Sequence, residues 1–478
     1  MNQQQLPLFH ALQQFQSKQP ISFHVPGHKN GDVFLDEAKV IFDSILNIDM
    51  TELTGLDDLH APEGIIALAE QLAMDFFQTK QTFFLVGGST AGNIAMILAA
   101  CREGDTVIVQ RNCHKSVMNG LELSGARPVF IAPVYDECLK RFTNPSIDVL
   151  EQAIKRYPNA KAIILTYPDY FGNTYDLQAM IELAHSFYIP VLVDEAHGVH
   201  FSLGDPFPPS ALRLGADVVV QSAHKMAPAM TMSSFLHCNS ERVLPKRIAH
   251  YLQMLQSSSP SYPLMASLDI ARAFLANFTE EMIDKVLESV QKVKTVISES
   301  RYWRILPSDD PLKITIQMEE GVAAKQVAYL FEQQQIFPEL VTEKQILFVH
   351  GLAPFLSLHR LKKAVQTIVE QLKNYARHDT IETKYFFPVS IQELALSYQT
   401  MNRQPAKYLS LKDAVGYIAA EAVIPYPPGI ALILKGEKIT AAHIEMIHKL
   451  RKMGVRMQQR SPNLIQVFTG TEEGEETK

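Results

Sequence analysis

The fold is decided by the stretch Val191-Leu192-Val193-Asp194-Glu195-Ala196-His197-Gly198, in which a short apolar run ends at an acid. Similar runs, rich in Val and Ile and separated by helix-length stretches, cover residues 82–86, 106–109, 128–131, 162–166 and 217–221. Buried parallel strands have this composition, and their alternation with helices predicts an α/β domain with a large, mostly parallel central sheet. Such runs could also be pieces of buried helices, but the glycine or polar residues that close each run favour strands.

Composition excludes several classes of protein. The chain has 478 residues, enough for two or three cores, and 20% of them are charged, which is too few for a disordered chain. We see no apolar run long enough to span a membrane and no secretory signal. Four scattered cysteines predict neither disulfides nor a metal site, and a net charge of -7 argues against nucleic acid or membranes as partners. These observations predict a cytoplasmic protein.

A loop of small residues, Gly87-Gly88-Ser89-Thr90-Ala91-Gly92-Asn93, follows the first run and precedes a predicted helix at 93–100. Small residues let backbone N–H groups approach an anion, and the start of a helix favours negative charge. Ser89 and Thr90 add hydroxyl donors. A phosphate site and an ordinary N-capped turn are equally good interpretations of this loop. A P-loop is excluded, because the chain contains no Gly-Lys dipeptide.

Asp194 would be a charge in an apolar place, so it needs a partner. In one interpretation, Asp194-Glu195-Ala196-His197 holds Mg²⁺ in an NTPase, but the missing P-loop weakens it. In a second interpretation the aspartate pairs with a protonated pyridine nitrogen, and in a third it is a core residue satisfied by backbone donors. The second and third interpretations both stay open.

Lys225 lies four residues past the run at 217–221, in Gln221-Ser222-Ala223-His224-Lys225. This position is at the carboxyl edge of the predicted sheet, where a desolvated lysine can form a Schiff base. A lysine that reaches solvent is the alternative. The spacing of 31 residues from Asp194 is one strand-helix-strand unit. An acid for a ring nitrogen, a lysine for an aldehyde and a phosphate cradle are the contacts that pyridoxal phosphate needs, so we expect this cofactor.

Longer motifs make a family resemblance specific. They are Phe23-His24-Val25-Pro26-Gly27-His28-Lys29, the stretch from Asp49 to His60, Arg111-Asn112-Cys113-His114-Lys115-Ser116, Ser257-Ser258-Ser259-Pro260-Ser261-Tyr262 and Tyr426-Pro427-Pro428-Gly429-Ile430. With them the chain resembles the ornithine/lysine/arginine decarboxylase family over almost its whole length. It is most similar to the short bacterial members that lack an N-terminal wing domain. The resemblance implies the type I, aspartate-aminotransferase-like fold, pyridoxal phosphate, and a homodimer or higher homo-oligomer.

The resemblance also assigns roles to the motif residues. Lys225 would bind the cofactor covalently, Asp194 would pair with the pyridinium nitrogen, and His114 would stack on the ring, with helix capping as its alternative. Ala196 would pack on the opposite face, and His197 would contact the ring hydroxyl or substrate, or else be a structural residue. Further cofactor-binding residues would be Ser89, Thr90, Ser222 and His224 at the phosphate, their neighbour Ala91, and, across a dimer interface, Ser257 and Ser258, which could instead form a polar loop.

For the reaction, the resemblance implies loss of CO₂ from arginine, lysine or ornithine, giving a di- or polyamine precursor. Lys225, His197 or His224 would return a proton to Cα. The substrate contacts would come from Glu421, Asp57, Asp58 and His28, although each carboxylate taken singly fits a structural role better. An aminotransferase or lyase reaction, or a non-catalytic paralogue, are the alternatives. Two of the departures from the family pattern are Met226, where relatives often have threonine, and Asp169, where they have asparagine.

The domain division expected from these patterns has five parts. They are an N-terminal helix and arm at 1–50, a large cofactor-binding domain at 51–295, a small α/β domain at 296–376, a C-terminal α+β domain at 377–468 and a disordered acidic tail at 469–478. Within them we expect an amphipathic helix at 6–16 and a long helix at 265–299. Residues 312–376 should alternate between strands and helices.

Overall fold

The computed structural model describes residues 1–373, 387, 389–426, 431–452, 455–458, 461 and 463–469. Two sequence predictions lie outside the described residues: the turn cluster at 427–430, and the disordered tail from residue 470 onward. None of the helices in the described part of the chain combines the length and the apolar character needed to cross a membrane.

Helices occupy stretches throughout the described chain. In chain order they are α1 Pro7–Ser17, α2 Asp36–Leu46, α3 Ile65–Phe77, α4 Gly88–Ala100, α5 Lys115–Ser124, α6 Ile147–Arg156, α7 Leu177–Ser186, α8 Ala223–Met226, α9 Pro245–Leu255, α10 Tyr262–Ala276, α11 Glu280–Ile297, α12 Ala324–Gln333, α13 Leu358–Leu372, α14 Tyr398–Met401 and α15 Ala441–Lys452. Their starts follow local chemistry: Ser146 and Asp176 cap α6 and α7 by accepting hydrogen bonds from backbone N–H groups.

Strands alternate with these helices. In chain order they are β1 Gln81–Leu85, β2 Thr106–Gln110, β3 Arg127–Ile131, β4 Tyr135–Asp136, β5 Arg141–Phe142, β6 Ala162–Thr166, β7 Val191–Asp194, β8 Val218–Gln221, β9 Ser234–Cys238, β10 Trp303–Leu306, β11 Lys313–Met318, β12 Leu340–Val341, β13 Gln345–Val349, β14 Ile391–Glu393, β15 Ala406–Ser410, β16 Ile424–Tyr426, β17 Arg456–Gln458 and β18 Leu464–Phe468. Each of the six strands predicted from apolar runs is present to within one residue at either end.

The chain forms two compact units. The first unit comprises Met1–Ala100, Leu165–Pro168 and Thr174–Ile283, and the second comprises Cys101–Ile164, Asp169–Asn173 and Asp284–Lys478. These units differ from the predicted domains, whose bounds remain predictions.

In the first unit the strand order is β1-β9-β8-β7. Strands β7 and β8 are parallel, with Asp194 opposite Val220, whereas β9 is antiparallel to both β8 and β1. Helix α4 packs on β1, β8 and β9, and α1 and α10 pack with α3. Gly92 permits this close approach, because a Cβ atom there would lie 2.7 Å from Leu85 Cδ1. The helices and parallel strands confirm the predicted α/β class, and β1, which pairs with β9 in antiparallel fashion, fits a sheet that is mostly but not wholly parallel.

In the second unit, β2 is parallel to both β3 and β6, and β14 is antiparallel to β3. A separate antiparallel sheet has the order β10-β11-β13-β12, and α12 packs on β13 and α13. Another core cluster, between residues 411 and 467, includes apolar side chains of α15 and β18. The strand-helix alternation expected at 312–376 is therefore confirmed, with β12 as an addition.

The long helix expected at 265–299 is wrong as a single element. Helix α10 ends at Ala276 and α11 begins at Glu280. The break occurs because Thr279 Oγ1 accepts a hydrogen bond from Met282 N, as an N-cap side chain does. Helix α4 also differs from the prediction, since it begins at Gly88 instead of Asn93 and takes Ser89 and Thr90 into its first turn.

Candidate active site

Asp194 ends β7 in the first unit and is only 3% exposed. Its Oδ2 accepts a hydrogen bond from Asn93 Nδ2 at 2.8 Å, and its Oδ1 accepts one from Ala196 N at 3.2 Å. Asn93 belongs to α4, so this contact fixes the acid to the helix that follows the small-residue loop. Both carboxylate oxygens therefore act as acceptors at the carboxyl end of a buried parallel strand.

Lys225 lies in α8, directly after β8, the parallel neighbour of β7. Its Nζ is 3.0 Å from His197 Nε2, and His197 lies three residues past Asp194. The sequence predicted roles for Asp194, His197 and Lys225 separately, and the structure places all three at the ends of adjacent strands. An amine and an imidazole at this distance can share a proton.

Ser222 provides a test of whether a phosphate-bearing cofactor fits here. Its side chain is fully buried at the start of α8, yet its Oγ has no hydrogen-bond partner within the part of the chain that the structure describes. A buried hydroxyl without an acceptor is costly, so a group that brings acceptor oxygens would fit beside Ser222. His224, two residues on, is fixed because its Nδ1 lies 3.0 Å from the carbonyl oxygen of Ser233.

The first turn of α4 supplies the other half of the cradle. Gly88 has a φ of +72°, a conformation that glycine adopts readily, and its N–H donates to the Met232 carbonyl oxygen at 2.8 Å. Ser89 is half-buried, Thr90 is exposed and Ala91 is buried. Because first-turn N–H groups have no partners inside the helix, this end of α4 suits an anion. The residues present therefore fit the phosphate of pyridoxal phosphate.

Several other predicted residues are occupied by local contacts. His114 lies in the second unit and caps α5, with its Nδ1 2.8 Å from Ser116 Oγ, so the capping alternative describes its observed contacts. Ser257 and Ser258 are exposed in the first unit, and the Ser257 carbonyl oxygen lies 2.8 Å from His60 Nε2. Stacking by His114 and phosphate contacts by the two serines remain predictions.

Among the substrate candidates, Asp57 has a structural task. Its two oxygens accept hydrogen bonds from the N–H groups of Asp58, Glu63, Gly64 and Ile66, which tie it to the start of α3. Burial alone would raise the pKa of Asp57, but these backbone donors lower it below its ordinary value. The carboxylate is thus engaged by the backbone, as in the structural alternative.

Each of the remaining substrate candidates has an identified hydrogen-bond partner. Asp58 Oδ1 accepts from His60 N at 2.8 Å, and His28 Nε2 lies 3.2 Å from Asp49 Oδ2. In the second unit, Glu421 Oε1 accepts from Gln466 N at 2.9 Å. Their contact with a substrate remains a prediction.

The two departures from the family pattern are both accommodated. Met226 is buried in α8. Asp169, in the second unit, is buried, which raises its pKa, while Arg141 opposes the rise from 3.7 Å. Its Oδ1 accepts from the N–H groups of Phe171 and Asn173. The extra acid therefore has a cation and two backbone donors of its own.

Sequence reasoning placed Glu195 only in the weakened Mg²⁺ interpretation and gave it no role in a cofactor site, although it follows Asp194. Its side chain is fully buried, and burial raises its pKa to about 8. Oε1 accepts from Ala211 N at 2.7 Å, and Oε2 accepts from Gln221 Nε2 at 2.6 Å. A charged residue directly after a strand-ending acid was the only available signal.

Comparison with known proteins gives the class to which this fold and site belong. The model for "Orn/Lys/Arg decarboxylase, major domain" matches residues 6–310, and that for the C-terminal domain matches residues 380–477. The chain belongs to the Orn/Lys/Arg decarboxylase family, whose members are amino-acid decarboxylases.

Individual proteins show how close the similarity is. The chain is 44% identical to the uncharacterized Bacillus subtilis protein YaaO, over 95% of each chain, and 36% identical to a Bacillus subtilis arginine decarboxylase, over 96% of each. A lysine decarboxylase structure from Francisella novicida superposes with a TM-score of 0.82 at 18% identity, covering 97% of this chain and 81% of the other. A Bacillus subtilis ureidoglycine-glyoxylate aminotransferase gives 0.53 at 13% identity, covering 66% of this chain and 87% of the other. These structures confirm the predicted aminotransferase-like α/β fold.

Proposed function

We propose that this protein is a pyridoxal-phosphate-dependent decarboxylase of a basic amino acid, releasing CO₂ and the corresponding amine. The observation that carries the proposal is the contact between Lys225 Nζ and His197 Nε2, beside the strand end that bears Asp194. Family membership supports the reaction class. The unpartnered hydroxyl of Ser222 supports a phosphate-bearing cofactor.

The cofactor would be held by residues already described. Lys225 would bind its aldehyde carbon, Ser222 and the first turn of α4 would bind its phosphate, and Asp194 would hold a proton on its ring nitrogen. Pyridoxal phosphate, when bound, supplies an electron-accepting ring for the electron pair released as the bond to the carboxylate breaks. Asn93 and Ala196 N orient Asp194 for its task, since each occupies one of the carboxylate oxygens.

Proton return to Cα falls to the Lys225–His197 pair. The two nitrogens are 3.0 Å apart, so a proton held on one can pass to the other. His197 is buried, which keeps bulk water from competing for that proton. His224 is a weaker candidate, because its Nδ1 is engaged by the Ser233 carbonyl oxygen.

Among possible substrates, arginine is to be tested first. Four relatives named arginine decarboxylase are 34–36% identical to this chain, whereas a biodegradative arginine decarboxylase and two lysine decarboxylases are 22–23% identical. The sequence leaves arginine, lysine and ornithine open, and so do the contacts of Glu421, Asp58 and His28. An amine product would serve as a polyamine precursor.

We also propose that the active form is a cytoplasmic homodimer. Helix α2 leaves Val40 89% exposed and Ile41 78% exposed, and Leu46 is its one buried residue. An 11-residue helix with its apolar side chains in water is marginal on its own, which supports a covering partner. A second copy would also bring Ser257 and Ser258 to a phosphate, as the family resemblance implies.

The test is an amine-product assay of the purified protein loaded with pyridoxal phosphate. Arginine, lysine and ornithine are supplied separately, with Lys225→Ala as the inactive control. We expect one of the three to give CO₂ and its amine in equal amounts. Formation of a keto acid would favour an aminotransferase, and no product from any substrate would favour a non-catalytic protein.

A further inference from the structure

Four buried polar side chains form a hydrogen-bonded row across the first unit. Thr82 Oγ1 lies 2.8 Å from His237 Nδ1, His237 Nε2 lies 3.1 Å from Gln221 Oε1, and Gln221 Nε2 donates to Glu195 Oε2 at 2.6 Å. All four side chains are fully buried. Since the strand order is β1-β9-β8-β7, the row takes one residue from each strand or strand end in turn. We call these residues the buried polar row.

The donors and acceptors of the buried polar row are mutually consistent. Burial lowers the pKa of His237 to about 3, so its ring is neutral at neutral pH. Because the Gln221 amide nitrogen donates to Glu195, its oxygen must accept, and His237 must carry its proton on Nε2. Nδ1 then accepts from the Thr82 hydroxyl. The ring of Phe77, 4.5 Å from the imidazole, helps to close this region to water.

The buried carboxyl of Glu195 lowers the stability of the folded protein. A buried ionisable group is less favourable than an apolar or amide side chain of the same shape. The packing nevertheless leaves room for the Glu195 side chain, because residue 198 is a glycine. A Cβ atom at Gly198 would lie only 2.6 Å from Glu195 Cγ. Folding stability therefore does not account for a carboxyl at this position.

The position of the buried polar row in the sheet accounts better for the carboxyl of Glu195. Glu195 directly follows Asp194, and Gln221 directly precedes Ser222, the first residue of the segment that leads to Lys225. The Glu195 N–H also donates to the Val220 carbonyl oxygen at 2.9 Å. The ends of β7 and β8 are thus joined by one backbone and one side-chain hydrogen bond, at the points where the acid and the lysine segment begin.

We propose that Glu195 is a positioning residue, which acts through Gln221 and His237 to keep Asp194 in register with Ser222 and Lys225. The proposal rests on the decarboxylase function proposed above. Glu195 touches neither substrate nor cofactor in this role. Small displacements of reacting groups are enough to slow an enzyme, so the effect of losing the row should be on turnover and cofactor binding.

Glu70 offers a matched control in the same unit. It is also a buried glutamate whose burial raises its pKa to about 8, and its Oε1 accepts from a backbone group, Phe84 N, at 2.9 Å. Its described hydrogen bond leads to the edge strand β1 and not to Gln221. Loss of Glu70 therefore removes a comparable carboxyl without cutting the buried polar row.

The experiment compares Glu195→Ala, Glu195→Gln, Glu70→Ala and Glu70→Gln in the full-length protein. Three quantities are measured: kcat and KM for the amino acid that the wild type decarboxylates, the affinity of the apoprotein for pyridoxal phosphate, and the thermal midpoint of the apoprotein. We expect Glu195→Ala to lower kcat by roughly 10- to 100-fold with little change in KM. Its cofactor affinity should fall by about tenfold, from the same loss of register.

Glu195→Gln should recover most of both losses, because its amide oxygen can still accept from Ala211 N. Its amide nitrogen can donate to Gln221 once the Gln221 amide turns over and neutral His237 moves its proton to Nδ1, where the Thr82 oxygen accepts it, so the row stays connected with its direction reversed. Both Glu70 variants should keep the wild-type kcat and cofactor affinity, whatever their thermal midpoints. The proposal is overturned if Glu195→Ala keeps the kcat and cofactor affinity of Glu70→Ala, or if Glu195→Gln is as impaired as Glu195→Ala. If the wild type decarboxylates none of the amino acids, the proposed function fails, and cofactor affinity alone decides the positioning role.

Discussion

Glu70 allows a prediction about stability whose magnitude follows from the structure. The residue lies on α3, is 4% exposed, and accepts a hydrogen bond from Phe84 N on β1. Burial raises its pKa from the ordinary value of 4.5 to about 8. We compare the free energy of unfolding of Glu70→Gln with that of the wild type. We predict that the difference, variant minus wild type, is larger at neutral pH than at pH 5.

The sign follows from proton linkage. The folded state holds the proton of Glu70 more tightly than the unfolded state does, so this residue favours folding fully below pH 4.5. That contribution is lost as the pH rises toward 8, at about 1.4 kcal/mol per pH unit. By pH 7 the loss amounts to about 3 kcal/mol. Glutamine does not titrate, so the variant lacks this loss.

The assay is urea unfolding of the apoprotein at several pH values between 5 and 8, followed by far-ultraviolet circular dichroism. Tryptophan fluorescence is unsuitable, because Trp303 lies in the second unit. The added amide N–H of glutamine shifts the free energy of unfolding by a constant, so the slope with pH is the test. Glu63→Gln, at an exposed glutamate nearby, is the control, and its free energy of unfolding should change with pH as that of the wild type does. The reasoning is refuted if the free energy of unfolding of Glu70→Gln changes with pH in the same way as that of the wild type.

Three further predictions concern the proposed active site. Lys225→Ala should abolish the covalent attachment of pyridoxal phosphate, and borohydride reduction of the wild type followed by peptide mapping should label Lys225; a label on another lysine would contradict the assignment. Asp194→Asn should lower turnover roughly a hundredfold or more with cofactor still bound, because an amide supplies no negative charge to the ring nitrogen, and near-normal turnover would disprove that role. Mixing Lys225→Ala subunits with Ser257→Ala/Ser258→Ala subunits should restore activity above either parent, because one site of the mixed dimer would carry both lesions and the other none. A fully active monomer in sedimentation at assay concentration would contradict composite sites.

The sequence was informative where chemistry and strand pattern coincide. Asp194 ends an apolar run and Lys225 lies four residues past the next one, so their shared edge of the sheet could be predicted without coordinates. Strand β9 was missed, because a search for apolar runs does not find Ser234-Phe235-Leu236-His237-Cys238. His237 is tolerated inside the sheet since Thr82 and Gln221, both far away in sequence, satisfy its two nitrogens.

Asp57 shows a second limit of prediction from the sequence. Helix-capping residues are recognised next to the first turn, but Asp57 precedes Ile65, the first residue of α3, by eight positions. It reaches the helix start because its φ of +69° and the turn that follows bring the chain back to it. A carboxylate beside a second acid in a family motif therefore looked like a substrate contact. Its backbone partners become visible only once the turn is folded.

The two buried glutamates show the same limit of prediction from the sequence. Glu70 and Glu195 are the same residue type, both are buried, and burial raises the pKa of each to about 8. What separates them is the partner: Glu70 is bonded to an edge-strand N–H, whereas Glu195 is bonded to Gln221, which continues to His237. Residue type and burial pattern can be inferred along a chain, but the partner is a property of the sheet order, which brings β9 between β1 and β8. A sequence can thus locate the groups that would do the chemistry, while the residues that hold those groups in register are identified from the packing of strands that are distant in the chain.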